Sequence, residues 1–341
     1  MRRPLILFFN PFFATFPDTG GLECGQACDF TQDRARMAEA DAIVIHLPNC
    51  ERIWEARKYP GQLWVAWSQE SDVTVPALLE PKFMRHFDLA MTYRRDADVW
   101  CPYIPSDATE RLLAPAPPKT ERAPAVLFQS AHYDRSERYT FAFELMKKVR
   151  VDSYGDTLKN RALPGPDRGG KTKLDIISRY KFCLALENSR SLDYVTEKFF
   201  HPLMAGSVPV YRGAPNVGDF APGEKCFVNA DDFSSPGALA DYLNHLDGNE
   251  TAYREYFHWK SDGLSAKFQA MLRPLSSHPF CRLSDLVAAR MRSRGGRERD
   301  SARDYARPLY FRRWRPRRIA RQVGFVSRLA VGRLVRSSDR P

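Results

Sequence analysis

Short apolar runs, each ended by a polar or glycine-bearing stretch, recur along most of this chain. Leu5–Phe9, Ala42–His46, Leu63–Trp67 and Leu89–Tyr93 form one set. Ala125–Gln129, Arg150–Tyr154, Phe182–Leu186, Val208–Tyr211 and Lys225–Asn229 form a second. Runs of this kind predict strands buried on both faces, as in parallel sheets. Between them, helical spacing predicts helices near residues 137–148, 173–180, 235–248 and 250–260, with Pro236 near a start and Gly248 near an end. Strand–helix alternation of this sort makes an α/β protein. The proline-rich stretch APAPPKTERAPA, residues 114–125, suits neither helix nor sheet and predicts a linker. The expected organisation is a lobe over 1–113, the linker 114–125, a second lobe over 126–289 and a tail over 290–341.

The length of 341 residues suits two domains, and 43% hydrophobic residues suffice for proper cores. The formal charge of +11 belongs to the tail. From Arg290 onward there are 17 arginines, no lysine and 4 acidic residues, so the preceding body is close to neutral. That distribution disfavours a basic groove for polynucleotide, and no nucleic-acid partner is expected. Within the tail, Ile319, Val323, Val326, Ala330 and Leu334 recur at helical spacing, with Arg318, Arg321, Arg328 and Arg336 broadly opposite. This pattern predicts an amphipathic helix suited to an anionic membrane surface. The seven cysteines are irregularly spaced, without a C-x-x-C pair, and read as free thiols of a reducing compartment. The N-terminal apolar stretch is broken at Asn10 and Pro11 and reads as a first strand rather than a signal peptide. The expected location is the cytoplasm, peripherally on the inner face of the membrane.

Residues 181–213, KFCLALENSRSLDYVTEKFFHPLMAGSVPVYRG, are the most informative stretch. A strand runs into a polar loop and then a helix start, the place where open α/β sheets bind ligands. A sugar nucleotide needs cations for its diphosphate, an aromatic or amide surface for ribose or base, and a carboxylate for hydroxyls. Asn188, Tyr194, Glu197 and Lys198 supply these types at one strand–helix junction.

The irregular series L-E-N-S, D-Y-V-T-E-K, A-G-S-V-P-V and R-G resembles the signature of the α-1,3-fucosyltransferase family, glycosyltransferase family 10, in a bacterial form without an N-terminal anchor. GQLWVAWSQES at 61–71 and FMRHFDLAMTYRRDADVWCPY at 83–103 resemble the acceptor-side domain of the same family. The resemblance covers roughly residues 60–265. It implies two Rossmann-like lobes facing a cleft, the B-type glycosyltransferase fold, with GDP-fucose as donor. It implies Lys198 and Arg138 on the pyrophosphate, Tyr194 and Asn188 on the nucleotide side, and Glu197 on ribose or fucose hydroxyls. Glu70 matches the general base of an inverting displacement. Arg135 competes with Arg138, which spacing favours. The implied acceptor is an N-acetylglucosamine-containing glycan, N-acetyllactosamine or a bacterial surface polysaccharide.

Several features depart from that pattern or compete with it. Asp72 stands where the family commonly has proline, and FQSAHYDRSER replaces a Ser-Asn-Cys-like segment. The pair Asp96-x-Asp98 resembles a metal motif, but Arg94 and Arg95 beside it predict a salt-bridge cluster, and no essential metal or other cofactor is expected. GGKT at 169–172 lacks the first glycine and the preceding strand of a phosphate loop. His46, Arg94 and Arg95 are candidate acceptor-side residues. Another nucleotide-sugar donor, or a non-catalytic glycan- or membrane-binding protein, are the alternative readings.

Overall fold

The computed structural model describes residues 3–25, 28–131 and 134–293, apart from the Trp54 side chain. The chain divides into two compact units. The first holds the described residues up to Tyr103, the segment Ser191–Tyr194, and the described residues from Met271 to Ser293. The second holds Ile104–Arg190 and Val195–Ala270.

The first unit is built on six parallel strands: β1 (Leu5–Phe8), β2 (Asp29–Thr31), β3 (Ala42–His46), β4 (Leu63–Ser68), β5 (Leu89–Thr92) and β6 (Val99–Trp100). Their order is β2-β1-β3-β4-β5-β6. All residues of β1, β3 and β4 are buried, which is why they read as unbroken apolar runs rather than alternating ones. The short helix α1 (Pro81–Met84) leads into β5. Chain order reverses between β1 and β3, so the crevice beyond their carboxyl ends is a topological switch point.

The second unit begins with α2 (Ala108–Leu113), followed by β7 (Ala125–Leu127), α3 (Arg138–Leu145), β8 (Val151–Ser153), α4 (Gly170–Ile177), β9 (Phe182–Leu186), α5 (Glu197–Ala205), β10 (Val208–Arg212) and β11 (Val228–Asn229). Helices α6 (Pro236–Gly248), α7 (Glu250–Arg254), α8 (His258–Asp262) and α9 (Ala266–Leu272) close the series. The five strands are parallel in the order β11-β10-β9-β7-β8, with the switch point between β7 and β9. Gly155 is required here: a Cβ on it would stand 2.2 Å from the Gln129 carbonyl oxygen. Helix α5 is capped by the Thr196 side chain, which accepts from the Lys198 amide, and ends at Gly206 in the left-handed region.

The chain then returns to the first unit with α10 (Pro279–Ser293). Phe280, Leu283 and Val287 of α10 pack with Ile6, Phe8, Val44 and Trp67. A disulfide joins Cys24 to Cys281 across 257 positions, correcting the expectation of free thiols. Their distance along the chain left no spacing motif to read, and only the fold brings them together. Cys50, Cys101, Cys183 and Cys226 are buried free thiols. The amphipathic tail helix expected beyond Ile319 lies outside the described residues. No described helix is long and apolar enough to cross a membrane.

Candidate active site

In the second unit the polar loop after β9 and the start of α5 form one charged cluster. Glu187, directly after β9, is fully buried. Its carboxylate accepts from the Thr196 amide and hydroxyl, both at 2.8 Å, and Lys198 Nζ lies 3.4 Å away. Lys198 also reaches Thr196 Oγ1 at 3.1 Å and Glu197 at 3.2 Å. Burial pushes the Glu187 carboxyl up, against the pull of Lys198. Burial works against the Lys198 charge too, but Glu187 and Glu197 outweigh it and raise the ammonium. For Glu197, burial is outweighed by Lys198, Lys173 and His201, which hold it down at about 2. Lys173 stands 3.6 Å from Glu197. The His201 ring is held neutral, at about 4, by burial and by Lys173, and its Nδ1 is buried without a hydrogen-bond partner among the described residues.

Arg138 opens α3 and is only 2% exposed. It donates to the Leu186 carbonyl at 3.3 Å and the Ala131 carbonyl at 3.1 Å, which fixes it at the β7/β9 switch point. Its charge opposes that of Lys198, so the two cations stand within electrostatic reach. The Asp134 carboxylate accepts from the amides of Ser136, Arg138 and Tyr139 and shapes this turn. Arg135 is exposed, and its amide donates to the Asn188 carbonyl at 2.8 Å. Asn188 is half-buried, with Ser189 Oγ donating to its side chain at 3.2 Å. Arg138, Asn188, Glu197 and Lys198 thus come from one neighbourhood of one unit.

The first unit gathers the rest. Glu70 is half-buried, just beyond the end of β4. Tyr194, from the segment 191–194, donates its hydroxyl to Glu70 Oε2 at 3.2 Å. Tyr103 donates to the Gln69 carbonyl at 2.5 Å and Ser68 to the Glu70 carbonyl at 2.9 Å, so the backbone here is fixed from two sides. Arg94 pairs with Asp96 at 2.9 Å, while Asp98 accepts from the Ala90 amide at 2.8 Å. Both aspartates therefore have structural partners. Arg95 instead holds Asp193 at 2.9 Å.

His46 ends β3, fully buried. Its Nδ1 meets Asn49 Oδ1, and burial lowers the imidazole to about 4, so it is neutral at pH 7. Its Nε2 is buried without a hydrogen-bond partner among the described residues. Phe12, Phe13 and Trp67 surround the ring with centroids at 4.8, 4.9 and 5.0 Å. Phe13 has a left-handed φ of 52° and is 49% exposed, and Asn49 donates to its carbonyl at 3.1 Å. This aromatic box escaped sequence reasoning because its members come from three separate stretches. Glu187 escaped it because a glutamate in a polar loop gives no sign of full burial.

Two parallel α/β sheets, with a cation cluster beyond one and a tyrosine-held carboxylate beyond the other, are the equipment of a nucleotide-sugar glycosyltransferase. The match to solved α-1,3-fucosyltransferase structures supports that fold class. One with GDP-fucose gives a TM-score of 0.54 at 16% identity, covering 85% of this chain and 90% of that one. One with GDP gives 0.53 at 18% identity, covering 78% and 80%. The family model for glycosyltransferase family 10 (fucosyltransferase), C-terminal part, matches residues 117–298, and the fucosyltransferase N-terminal model matches residues 1–104. The chain belongs to glycosyltransferase family 10, the fucosyltransferases. A putative fucosyltransferase-like protein of Arabidopsis thaliana is 37% identical, over 68% of this chain and 44% of its own length. Alpha-(1,3)-fucosyltransferase B of Drosophila melanogaster is 30% identical over 69% and 57%. GDP-fucose protein O-fucosyltransferase 3 of Homo sapiens is 32% identical over 76% and 58%. The chain spans about half the length of these curated relatives.

Proposed function

We propose that this protein transfers L-fucose from GDP-β-L-fucose to an acceptor hydroxyl with inversion at the anomeric carbon. The observation that carries the reading is the Glu70 carboxylate, half-buried and oriented by the Tyr194 hydroxyl. A fixed carboxylate of this kind is what a general base requires. In the step, the acceptor oxygen forms a bond to the anomeric carbon and its proton passes to Glu70. The bond from that carbon to the β-phosphate oxygen breaks, and GDP leaves with the electron pair. Lys198 and Arg138 carry the charge that builds on the leaving diphosphate, in a buried setting where such stabilisation is strongest. Glu197 and Asn188 hold sugar and ribose hydroxyls.

The acceptor of the main reading is an N-acetylglucosamine-containing glycan, with α-1,3 linkage. The aromatic box at Phe12, Phe13 and Trp67 supports a sugar acceptor, because sugar rings present an apolar face. The human relative named as a protein O-fucosyltransferase supports a second reading, a hydroxyl on a protein acceptor. The arginine-rich sequence after residue 293 suits an anionic membrane surface, which would keep the enzyme near lipid-linked acceptors. The Cys24–Cys281 disulfide favours an oxidising compartment over the cytoplasm.

The test is incubation of the full chain with GDP-fucose and N-acetyllactosamine, with and without EDTA, read by mass spectrometry. A fucosylated product supports the donor and the main acceptor class, and survival in EDTA supports a metal-independent reaction. Donor hydrolysis without transfer keeps the donor and moves the acceptor to the protein class. Neither product nor hydrolysis overturns the reading.

A further inference from the structure

The GGKT stretch at 169–172 forms the turn into α4 and the first residues of that helix. Gly169 has a φ of 62°, which glycine adopts without strain. Thr172 is buried, and its hydroxyl accepts from the Arg168 amide at 2.8 Å, which fixes the turn. The next residue is Lys173, half-buried. Three and four positions further on, Ile176 and Ile177 lie in a core that also holds Val126, Cys183 and Ala205. Lys173 therefore heads the buried face of α4. On α5, Glu197, His201 and Ala205 share one face at four-residue spacing. The two faces bring the Lys173 ammonium to 3.6 Å from Glu197 Oε1.

The same oxygen also takes Lys198, at 3.2 Å. Lys198 is thus drawn by two carboxylates, Glu197 and the fully buried Glu187. Glu187, Glu197 and Lys198 taken by themselves would carry a net negative charge, which repels a diphosphate. Lys173 brings this group to two lysines against two glutamates. His201, one turn along α5, adds no charge, because burial lowers it to about 4.

We propose that Lys173 is a positioning residue of the donor site, which holds Glu197 and so leaves Lys198 to the diphosphate. It acts through Glu197 and does not touch the nucleotide. This role rests on the proposed GDP-fucose reaction and on Lys198 as its diphosphate ligand.

The experiment measures GDP affinity by calorimetry and GDP-fucose kinetics on the full chain carrying Lys173→Met. Methionine keeps most of the apolar stem and removes the charge. The expected result is a rise of about 5- to 30-fold in Kd for GDP and in KM for GDP-fucose, with acceptor KM unchanged. Lys173→Arg keeps the charge and is expected to stay within about 3-fold of the wild type. A role in packing alone would not favour the bulkier arginine over methionine. In a Glu197→Gln background, where the carboxylate is already neutral, Lys173→Met is expected to cost less than about 2-fold more. Equal losses in both backgrounds overturn the role and put Lys173 on the nucleotide itself. Wild-type GDP affinity in Lys173→Met overturns it as well. A wild-type chain that binds no GDP and neither transfers nor hydrolyses GDP-fucose overturns the donor reading, and this role with it. Should Lys173→Met fail to fold, Lys173→Gln removes the same charge and is read by the same criteria.

Discussion

The carboxyl ends of the two sheets carry opposite kinds of chemistry. Beyond β7 and β9 of the second unit the residues are ionic: Arg138, Glu187, Glu197, Lys198 and Lys173. Beyond β1, β3 and β4 of the first unit they are largely aromatic, with His46 neutral among Phe12, Phe13 and Trp67, and with the Glu70 carboxylate held by a tyrosine. The same parallel architecture thus carries two kinds of surface. Paired cations fixed in a buried place suit a diphosphate, whose charge must be balanced before and during departure. An apolar surface beside a fixed carboxylate would suit a sugar hydroxyl, whose proton alone has to move.

The largest effect that would sharpen this contrast is expected at Glu70. Glu70→Gln is expected to lower kcat by roughly 10²- to 10⁴-fold while leaving GDP affinity as in the wild type. Weakened GDP binding in that variant would break the division of labour. At the other sheet, Lys198→Ala is expected to do the reverse, weakening GDP binding. It also leaves Glu187 buried without its cation, with a stability loss of about 3–5 kcal/mol in urea unfolding. Removal of the disulfide by Cys24→Ser is expected to cost about 2–4 kcal/mol, confined to the first unit, as hydrogen exchange would resolve.

A smaller effect follows from His46, whose folded value of about 4 lies below its ordinary 6.5. Protonation then favours the unfolded chain, so stability is complete above about 6.5 and falls as the pH drops towards 4. The expected loss is roughly 2 kcal/mol by pH 5, and His46→Phe is expected to remove that part of the pH dependence in chemical denaturation. The smallest change is expected from Phe13→Ala, a rise of about 3- to 10-fold in acceptor KM with no change for the donor, consistent with an exposed aromatic contact of about 1 kcal/mol.

Much of the framework was readable because buried parallel strands announce themselves as unbroken apolar runs: Ala42–His46 and Phe182–Leu186 have the same ends in sequence and structure. The ionic site was readable because Asn188, Glu197 and Lys198 follow one another along one strand–helix junction. In the first unit Glu70, His46, Arg94 and Arg95 were named singly, but the gathering of Tyr194 and the aromatic rings around Glu70 and His46 was not readable, for a geometric reason. These residues come from the ends of separate strands, and Tyr194 reaches them from a segment whose neighbours in sequence lie in the other unit. Strands β2 and β6, of three and two residues, are too short to leave a pattern. Helix α10 was hidden by its own composition, since its last turn merges into the arginine-rich tail.

The return of α10 to the first unit bears on how the protein is made. Ile6 and Phe8 are synthesised more than two hundred residues before Phe280, Leu283 and Val287, which complete the core around them. The first sheet must therefore wait, partly uncovered, while the second is translated and can fold as a nearly continuous stretch. Nascent chains stalled before α10 should accordingly show protease resistance over residues 104–270 and none over 3–103. A chaperone that shields apolar strands would find its target in the first sheet until α10 has been made.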